Sequence, residues 1–349
     1  MQASEEFLLK ANKSLPATCI SDSAIIEINA DTKDFSTIIK ELEHNPIPKS
    51  WIFGSEVLVS EIRSAFEIDH KAKFIVMICG KTKGKTTQVL FHSNRVLKEH
   101  PDVYIVDGDM GQQSLYMPST VALAKLDKPI ISFYELYYKE ARFTGVTRAG
   151  NNNIFIQSIR IAELVNNVPK GSVVIVDTDG WIVDSGLAQK INLVDKIKPN
   201  FVFVLDTEDP KDFSMIMKGA LDKRGIRYLL IPDDNQYYLA RSQEERRQHR
   251  TLMYYRFFAT SIDFKIQRSK IKIFKEFYNL KTQQIDRVDA NLDQYPLREG
   301  TLCGLYDLED QFLGLGYFLG VNKKEIWIRS SEIESNIAYI IIGRSWIEI

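Results

Sequence analysis

Three observations predict an α/β fold, with a parallel sheet covered by helices and smaller β-rich regions on both sides of it. Unbroken apolar runs recur between residues 70 and 262: Phe74-Ile75-Val76-Met77-Ile78, Val103-Tyr104-Ile105-Val106, Val173-Val174-Ile175-Val176, Phe201-Val202-Phe203-Val204-Leu205 and Tyr228-Leu229-Leu230-Ile231. Helix-length segments separate them, and runs without polar alternation are what strands buried on both faces show. After about residue 262 the helical pattern stops. Segments rich in aromatic and β-branched residues follow, such as Gly314-Leu315-Gly316-Tyr317-Phe318-Leu319 and Glu325-Ile326-Trp327-Ile328-Arg329. Residues 1–68 read as short strands and loops, with Ala24-Ile25-Ile26-Glu27-Ile28-Asn29 strand-like and Asn45-Pro46-Ile47-Pro48 a breaker cluster. The domains expected are therefore 1–68, β-rich; 69–262, α/β; and 263–349, β-rich.

Composition narrows the class. The 349 residues exceed one ordinary domain, and 44% hydrophobic with 26% charged residues exclude wholesale disorder. Lys+Arg 45 against Asp+Glu 46 leaves a net charge of -1, so any nucleic acid would be gripped at a local site. Cys19, Cys79 and Cys303 lie far apart, which argues against a disulfide framework or a cysteine zinc site. The N-terminus carries acidic residues where a signal peptide is basic, and no apolar run approaches the roughly 20 residues that span a bilayer. The expectation is a soluble intracellular protein, cytoplasmic or (in a eukaryote) nuclear, with no membrane partner.

The first strand of the central region leads into Cys79-Gly80-Lys81-Thr82-Lys83-Gly84-Lys85-Thr86-Thr87 and then a helical stretch to about Glu99. This approximates the phosphate-binding loop GxxxxGK[ST], with Cys79 at the first glycine, or Gly80 as that glycine in a loop one residue shorter. Small side chains at such a turn let successive N–H groups face a shared hollow for a phosphate. Lys85 would reach the β- and γ-phosphates of a nucleotide, Thr86 would offer its hydroxyl to Mg2+, and Lys81 and Lys83 add positive charge. Gly80 to Thr87 are thus the expected nucleotide contacts, on a sheet of the P-loop type.

The second strand ends Asp107-Gly108-Asp109-Met110-Gly111-Gln112. Carboxylates at the carboxyl end of a buried parallel strand lie where a Walker B residue meets Mg2+. Asp107 and Asp109 could divide the work between metal and an acceptor hydroxyl, or simply cap a turn. The next strand ends Asp177-Thr178-Asp179-Gly180-Trp181, where Trp181 is either a stacking platform for a base or a core residue. The strand after that ends Asp206-Thr207-Glu208-Asp209-Pro210 and lacks the Asn-Lys-x-Asp of guanine-specific proteins. Ser242 and Glu245 form a capping box, so a helix starts there, and Arg246 and Arg250 share one face with Arg241 just upstream. Three converging guanidiniums suit a lid over a transferring phosphoryl group. The plainer alternative is a solvated helix face paired with Glu244 and Glu245.

Taken together, residues 70–260 resemble the P-loop polynucleotide 5′-hydroxyl kinases, the family of a messenger-RNA 3′-end processing subunit and a ribosomal-RNA processing kinase. Four motifs carry the resemblance in order: Asp-x-Asp-x-Gly-Gln at Asp107 to Gln112, an aromatic-Gly-x-Thr segment loosely matched by Phe143 to Thr147, Thr-x-Gly-Trp at Thr178 to Trp181, and arginines spaced five and four at Arg241, Arg246 and Arg250. The chain departs from the family at Cys79, and at Arg148-Ala149, where Thr-Pro is common.

The resemblance implies a compact single-chain kinase that moves the ATP γ-phosphate to the 5′-hydroxyl end of RNA, or also DNA, with Mg2+ as cofactor and RNA-processing proteins as further partners. It casts Lys85, Asp109, Asp107, Gln112, Arg241, Arg246 and Arg250 as catalytic residues and Asp109 as the base. It also casts Thr86, Asp107 and Asp109 as the metal residues, and Trp181, Thr178 and Thr147 as acceptor contacts. Residues 1–68 would help to hold adenine. The competing functions are a non-catalytic ATP-binding scaffold in an RNA-processing complex and an ATPase that switches a partner.

Overall fold

The computed structural model describes residues 47–81, 84–148, 154–205, 213–232, 242–293, 297–332 and 336–348. The expected strand at Ala24 to Asn29, together with Cys19, Thr82, Lys83, Asp206 to Pro210 and Arg241, lies outside the described residues.

The chain from residue 49 onward does not begin as strands. Lys49–Ile68 is a helix, α1, which corrects the β-rich reading of this stretch. Its Ile-Phe and Val-Leu-Val content looks strand-like, but Trp51, Gly54, Ser55, Leu58 and Ile62 recur at three- and four-residue intervals and form the buried stripe of a helix. Pro48 stands at its N-cap, so the Pro-rich cluster marks a helix start. Gly54 brings α1 close to Phe203, Leu229 and Ile231 of the central sheet.

The central unit runs β1 (Phe74–Cys79), α2 (Lys85–Leu97), β2 (Val103–Asp107), β3 (Thr120–Leu126), β4 (Tyr138–Phe143), α3 (Ile154–Asn167), β5 (Val173–Asp177), α4 (Ser185–Ile197), β6 (Phe201–Leu205), α5 (Phe213–Asp222), β7 (Arg227–Ile231) and α6 (Gln243–Ala259). The sheet order is β4-β3-β2-β5-β1-β6-β7. Strands β2, β5, β1, β6 and β7 are parallel, as their apolar runs predict. The hairpin β3–β4, which interrupts what reads as a helix-length gap, adds two strands to one edge, with β3 antiparallel to β2 and to β4.

The second unit is a seven-stranded sheet of order β10-β9-β14-β11-β12-β13-β8. Its strands are β8 (Ile262–Gln267), β9 (Lys272–Asn279), β10 (Gln284–Asp289), β11 (Thr301–Tyr306), β12 (Phe312–Val321), β13 (Glu325–Ser330) and β14 (Tyr339–Trp346). All its pairings are antiparallel except that of β14 with β9.

The two sheets share one apolar core. The Phe143 ring meets the backbone of Gly304 and Gly343, where a Cβ would come within 2.8 Å and 3.0 Å of it, and stacks on Phe312 at 6.3 Å. Arg160 on α3 bridges to Glu276 on β9 at 2.7 Å, with both side chains nearly buried, and Arg287 closes on the same carboxylate at 3.0 Å.

Leu58 is fully buried in this core. Leu58→Ala should destabilise the protein by about 2–5 kcal/mol, the usual cost of a buried leucine. Urea denaturation measures it, and a loss below about 0.5 kcal/mol would show that α1 does not pack on the sheet.

Candidate active site

The turn after β1 is shaped for an anion. Cys79 ends the strand and is fully buried, with burial pushing its thiol up to about 12. Gly80 makes the turn: its φ is +147°, and a Cβ there would lie 2.6 Å from Leu205 Cβ. Gly80, not Cys79, is therefore the glycine that makes the turn after β1. Gly84, at φ +79°, is the N-cap of α2 and offers no side-chain cap, and the first turn of α2 contains no acid. Among the described residues no side chain takes its N–H groups, which suits an external acceptor, and the positive end of the helix adds to the Lys85 charge. Lys85 is 5% exposed and donates to the Lys81 carbonyl at 3.0 Å. Burial lowers its pKa, against the opposing pull of Asp177 and Asp109. A buried ammonium beside an uncapped helix start fits a phosphate group.

Strand register sets the acids. Asp107 on β2 is paired directly with Asp177 on β5, and Asp177 with Ile78 on β1. Strand β5 therefore lies between β2 and the phosphate-binding strand. Asp177, not Asp107, is the carboxylate beside Thr86, whose hydroxyl donates to Asp177 Oδ2 at 2.7 Å. Sequence reasoning missed this residue, although it ends an apolar run followed by Thr-x-Gly-Trp. Its Oδ1 is buried with no partner. Burial raises the Asp177 carboxyl to about 6, and burial followed by the charge of Asp177 raises Asp107 well above its ordinary value.

Asp107 is committed to the loop. Its Oδ1 accepts from the Asp109 N–H at 3.1 Å and its Oδ2 from the Ser114 N–H at 2.7 Å. Asp109 Oδ1 accepts from Gly111 and Gln112 N–H at 3.0 Å and 2.9 Å, and no hydrogen bond to its Oδ2 occurs among the described residues. Burial, then the charge of Asp179, raises the Asp109 pKa. Gln112 is half-buried in this loop.

Behind the acids lies a network that no motif signals. Lys190 on α4 is fully buried and bonds Asp179 Oδ1 at 2.7 Å and Gln189 Oε1 at 2.6 Å. Gln157 on α3 donates to Asp179 Oδ2 at 2.9 Å and to the carbonyl of Gly108 at 2.5 Å. Burial alone would raise Asp179, yet the Lys190 ammonium holds it below its ordinary value. Asp179 Oδ1 also accepts the Trp181 N–H at 2.9 Å. One buried chain thus ties the Trp181 turn to the loop between Asp107 and Asp109.

Trp181 is half-buried, and its ring packs against Gly186 at the start of α4, where a Cβ would lie 2.9 Å from Cγ. It is neither a core tryptophan nor a free one. The Thr178 hydroxyl donates to the Ile78 carbonyl at 2.9 Å, which ties β5 to β1. Thr147 has its carbonyl against Gly111 and its N–H on Ser345 Oγ at 3.1 Å.

The helix α6 begins with the expected capping box: Ser242 N–H donates to Glu245 Oε2 at 2.6 Å, and Glu245 N–H to Ser242 Oγ at 3.1 Å. Tyr254 and Ser119 share a hydrogen bond at 3.0 Å that fixes the helix over the acid loop. Arg250 is half-buried; burial, then the neighbouring Arg148, lowers its pKa, with Asp109 and Arg246 also within electrostatic reach. Arg246 is half-buried too, and its Nε is buried without a partner. Arg148, which looks only like a departure from a family motif, joins this cationic group.

A divalent ion fits here. Among the described residues no cluster of three or more His, Cys, Asp or Glu could hold a metal alone. Mg2+ rarely needs one, since it takes one or two carboxylates plus phosphate oxygens and waters. The unpartnered Asp177 oxygen and the repelling Asp107–Asp177 pair are what such an ion would satisfy.

Residues 80–260 match the family model described as mRNA cleavage and polyadenylation factor CLP1 P-loop. The polyribonucleotide 5′-hydroxyl-kinase of Methanocaldococcus jannaschii is 29% identical over 203 residues, 58% of this chain and 54% of that one, so the chain matches about half of that relative's length. The polyribonucleotide 5′-hydroxyl-kinase of Pyrococcus furiosus is 25% identical over 315 residues, 77% of this chain and 86% of that one. The structure of a wild-type Clp1p–Pcf11p complex aligns with a TM-score of 0.64 at 14% identity, covering 85% of this chain and 80% of that one. That likeness establishes the shared fold. No helix among the described residues is long and apolar enough to cross a membrane.

Lys190→Met should cost about 3–5 kcal/mol, because it strands a buried carboxylate. Adding Asp179→Asn should recover more than half. Because Asp179 is held below its ordinary pKa, this contribution is present above about pH 4 and fades as pH falls through the depressed value. Denaturant melts at pH 7 and pH 3 read both, and a single-variant loss under about 1 kcal/mol at pH 7 would contradict the pairing.

Proposed function

The chain belongs to the family of the mRNA cleavage and polyadenylation factor CLP1 P-loop, and we propose that it is an ATP-dependent kinase acting on the 5′-hydroxyl end of RNA, and of DNA where it fits. The observation that carries this reading is the placement of Arg250 within electrostatic reach of Asp109, beside an uncapped phosphate-binding turn. A nucleotide switch needs the turn and a metal carboxylate, but it does not need a second carboxylate facing an arginine-bearing helix. The kinase names of the Methanocaldococcus and Pyrococcus relatives support the same reaction.

The chemistry follows from the residues. The first turn of α2, Lys85, Thr86 and Thr87 hold the nucleotide phosphates, with Gly80, Lys81 and Gly84 shaping the loop. Thr86 and Asp177 would hold Mg2+, which when bound would neutralise charge at the phosphates. Asp107 and Gln112 hold the acid loop in shape. Asp109 takes the proton from the 5′-hydroxyl through its unengaged Oδ2 as the hydroxyl oxygen attacks the γ-phosphorus, and the bond from that phosphorus to the β–γ bridging oxygen breaks to release ADP. The raised Asp109 pKa makes it a stronger base than a solvated aspartate. Arg246 and Arg250, with Arg241 upstream, hold the charge that spreads over the moving phosphoryl oxygens. Trp181 stacks on the terminal base while the Thr147 segment borders the acceptor, and Thr178 acts at one remove by fixing β5 to β1.

Incubation with ATP, Mg2+ and paired 5′-hydroxyl and 5′-phosphate oligonucleotides tests the reading. Phosphate should pass only to the 5′-hydroxyl ends, whereas acceptor-independent ATP hydrolysis would support a switch and nucleotide binding without turnover a scaffold. Asp109→Asn should lower turnover by about 10²–10⁴-fold with ATP affinity kept. Arg250→Ala should lower it by roughly 10²-fold or more. A change under twofold in Arg250→Ala would return α6 to a solvated helix.

A further inference from the structure

A cleft of about 410 Å³ opens where the central unit meets the second sheet. One wall is Phe143 to Val146, the segment that runs into Thr147 and so into the acid loop at Gly111. The other wall is the end of β14 with Lys275 and Arg298. The walls are pinned together, since the Gly145 carbonyl accepts from the Arg344 and Ser345 N–H groups at 2.8 Å and 3.2 Å. We propose that this cleft binds the nucleotides 3′ to the phosphorylated end of a single-stranded acceptor, a reading that rests on the kinase assignment and extends it along the strand.

Charge selects the ligand class. Arg298 and Arg344 line the cleft together with Lys275, and the one acid among its described lining residues, Glu276, is already held by Arg160 and Arg287. The cleft is therefore cationic on a chain whose net charge is -1. Arg298 also pairs with Glu348, but both partners are more than half exposed, so a phosphodiester can displace that carboxylate cheaply. The Arg298 guanidinium lies 3.3 Å from the centre of the Trp346 ring, and Trp346 is 47% exposed. A guanidinium-backed indole with exposed surface is a stacking platform for a base, and alternating cations and aromatics are how single strands are gripped without sequence preference. Junctions between units are where ligand sites concentrate, and the volume falls in the roughly 300–1,000 Å³ range of small-molecule sites, enough for a nucleotide.

The test compares 5′-hydroxyl acceptors of rising length, from a nucleoside 3′-monophosphate to a hexanucleotide. The wild type should show KM falling over the first few nucleotides and then levelling. Trp346→Ala should raise the hexanucleotide KM roughly 5- to 150-fold, with a far smaller effect on the monophosphate and on kcat. Trp346→Phe should recover most of the loss. Arg344→Ala, which leaves its backbone bond to Gly145 intact, should likewise act on the long acceptor. Equal effects on both acceptors, or none, would overturn the proposal. If no acceptor is phosphorylated at all, the kinase reading fails by itself, and fluorescence anisotropy with a labelled hexanucleotide decides the cleft. Binding lost in Trp346→Ala supports it, and binding equal to wild type overturns it.

Discussion

The register that sets Asp107 beside Asp177 at the carboxyl edge of the central sheet is the constraint on which the rest of the site depends. Asp109 and Asp179 follow two residues later, in the loops that leave these two strands. Four carboxylates thus converge on one edge, facing two buried ammonium groups, Lys85 and Lys190. Packed apolar strands cannot relax to separate the carboxylates, and burial first, with carboxylate repulsion adding to it, raises the pKa values of Asp107, Asp109 and Asp177. A buried charge cluster of this kind is tolerated only when partners offset it. Lys190 and Gln157 do so on the Asp179 side, and a divalent cation with phosphates on the uncapped start of α2 would do so on the Asp177 side.

The other elements make sense as supports for that edge. The hairpin β3–β4 extends the sheet so that residues 144–147 border the acid loop, and the second sheet locks the hairpin in place through Phe143 and the Gly145 carbonyl. Helix α6 is fixed by Tyr254 on Ser119, which leaves Arg250 within electrostatic reach of Asp109. The second sheet is thus continuous with the site's frame, and the cleft between them extends the same surface.

Much of this was legible in the sequence. The doubly buried parallel strands announce themselves as unbroken apolar runs, the capping box places the start of α6, and the glycines and Lys85 mark the anion turn. What the sequence hid has physical reasons. The α1 segment is rich in β-branched and aromatic residues, and only its three-to-four spacing reveals a helix. Strand order is a long-range property, so nothing local shows that β5, not β2, neighbours the phosphate-binding strand, and Asp177 was passed over for that reason. Lys190 reads as a surface lysine on an amphipathic helix until its ammonium is seen against Asp179. Arg148 was legible only as a departure from a motif.

This edge is an acid cluster that we propose a nucleotide and a divalent cation complete together. The most direct measurement is thermal unfolding of the wild-type protein at pH 7 with Mg2+ alone, ATP with a chelator, and both. A ligand at 100 times its Kd stabilises a fold by about 2.7 kcal/mol. The account predicts a clear rise in Tm with Mg2+ and ATP together, well above the sum of the two separate effects. Equal stabilisation by ATP with and without Mg2+, or none under any condition, would contradict it.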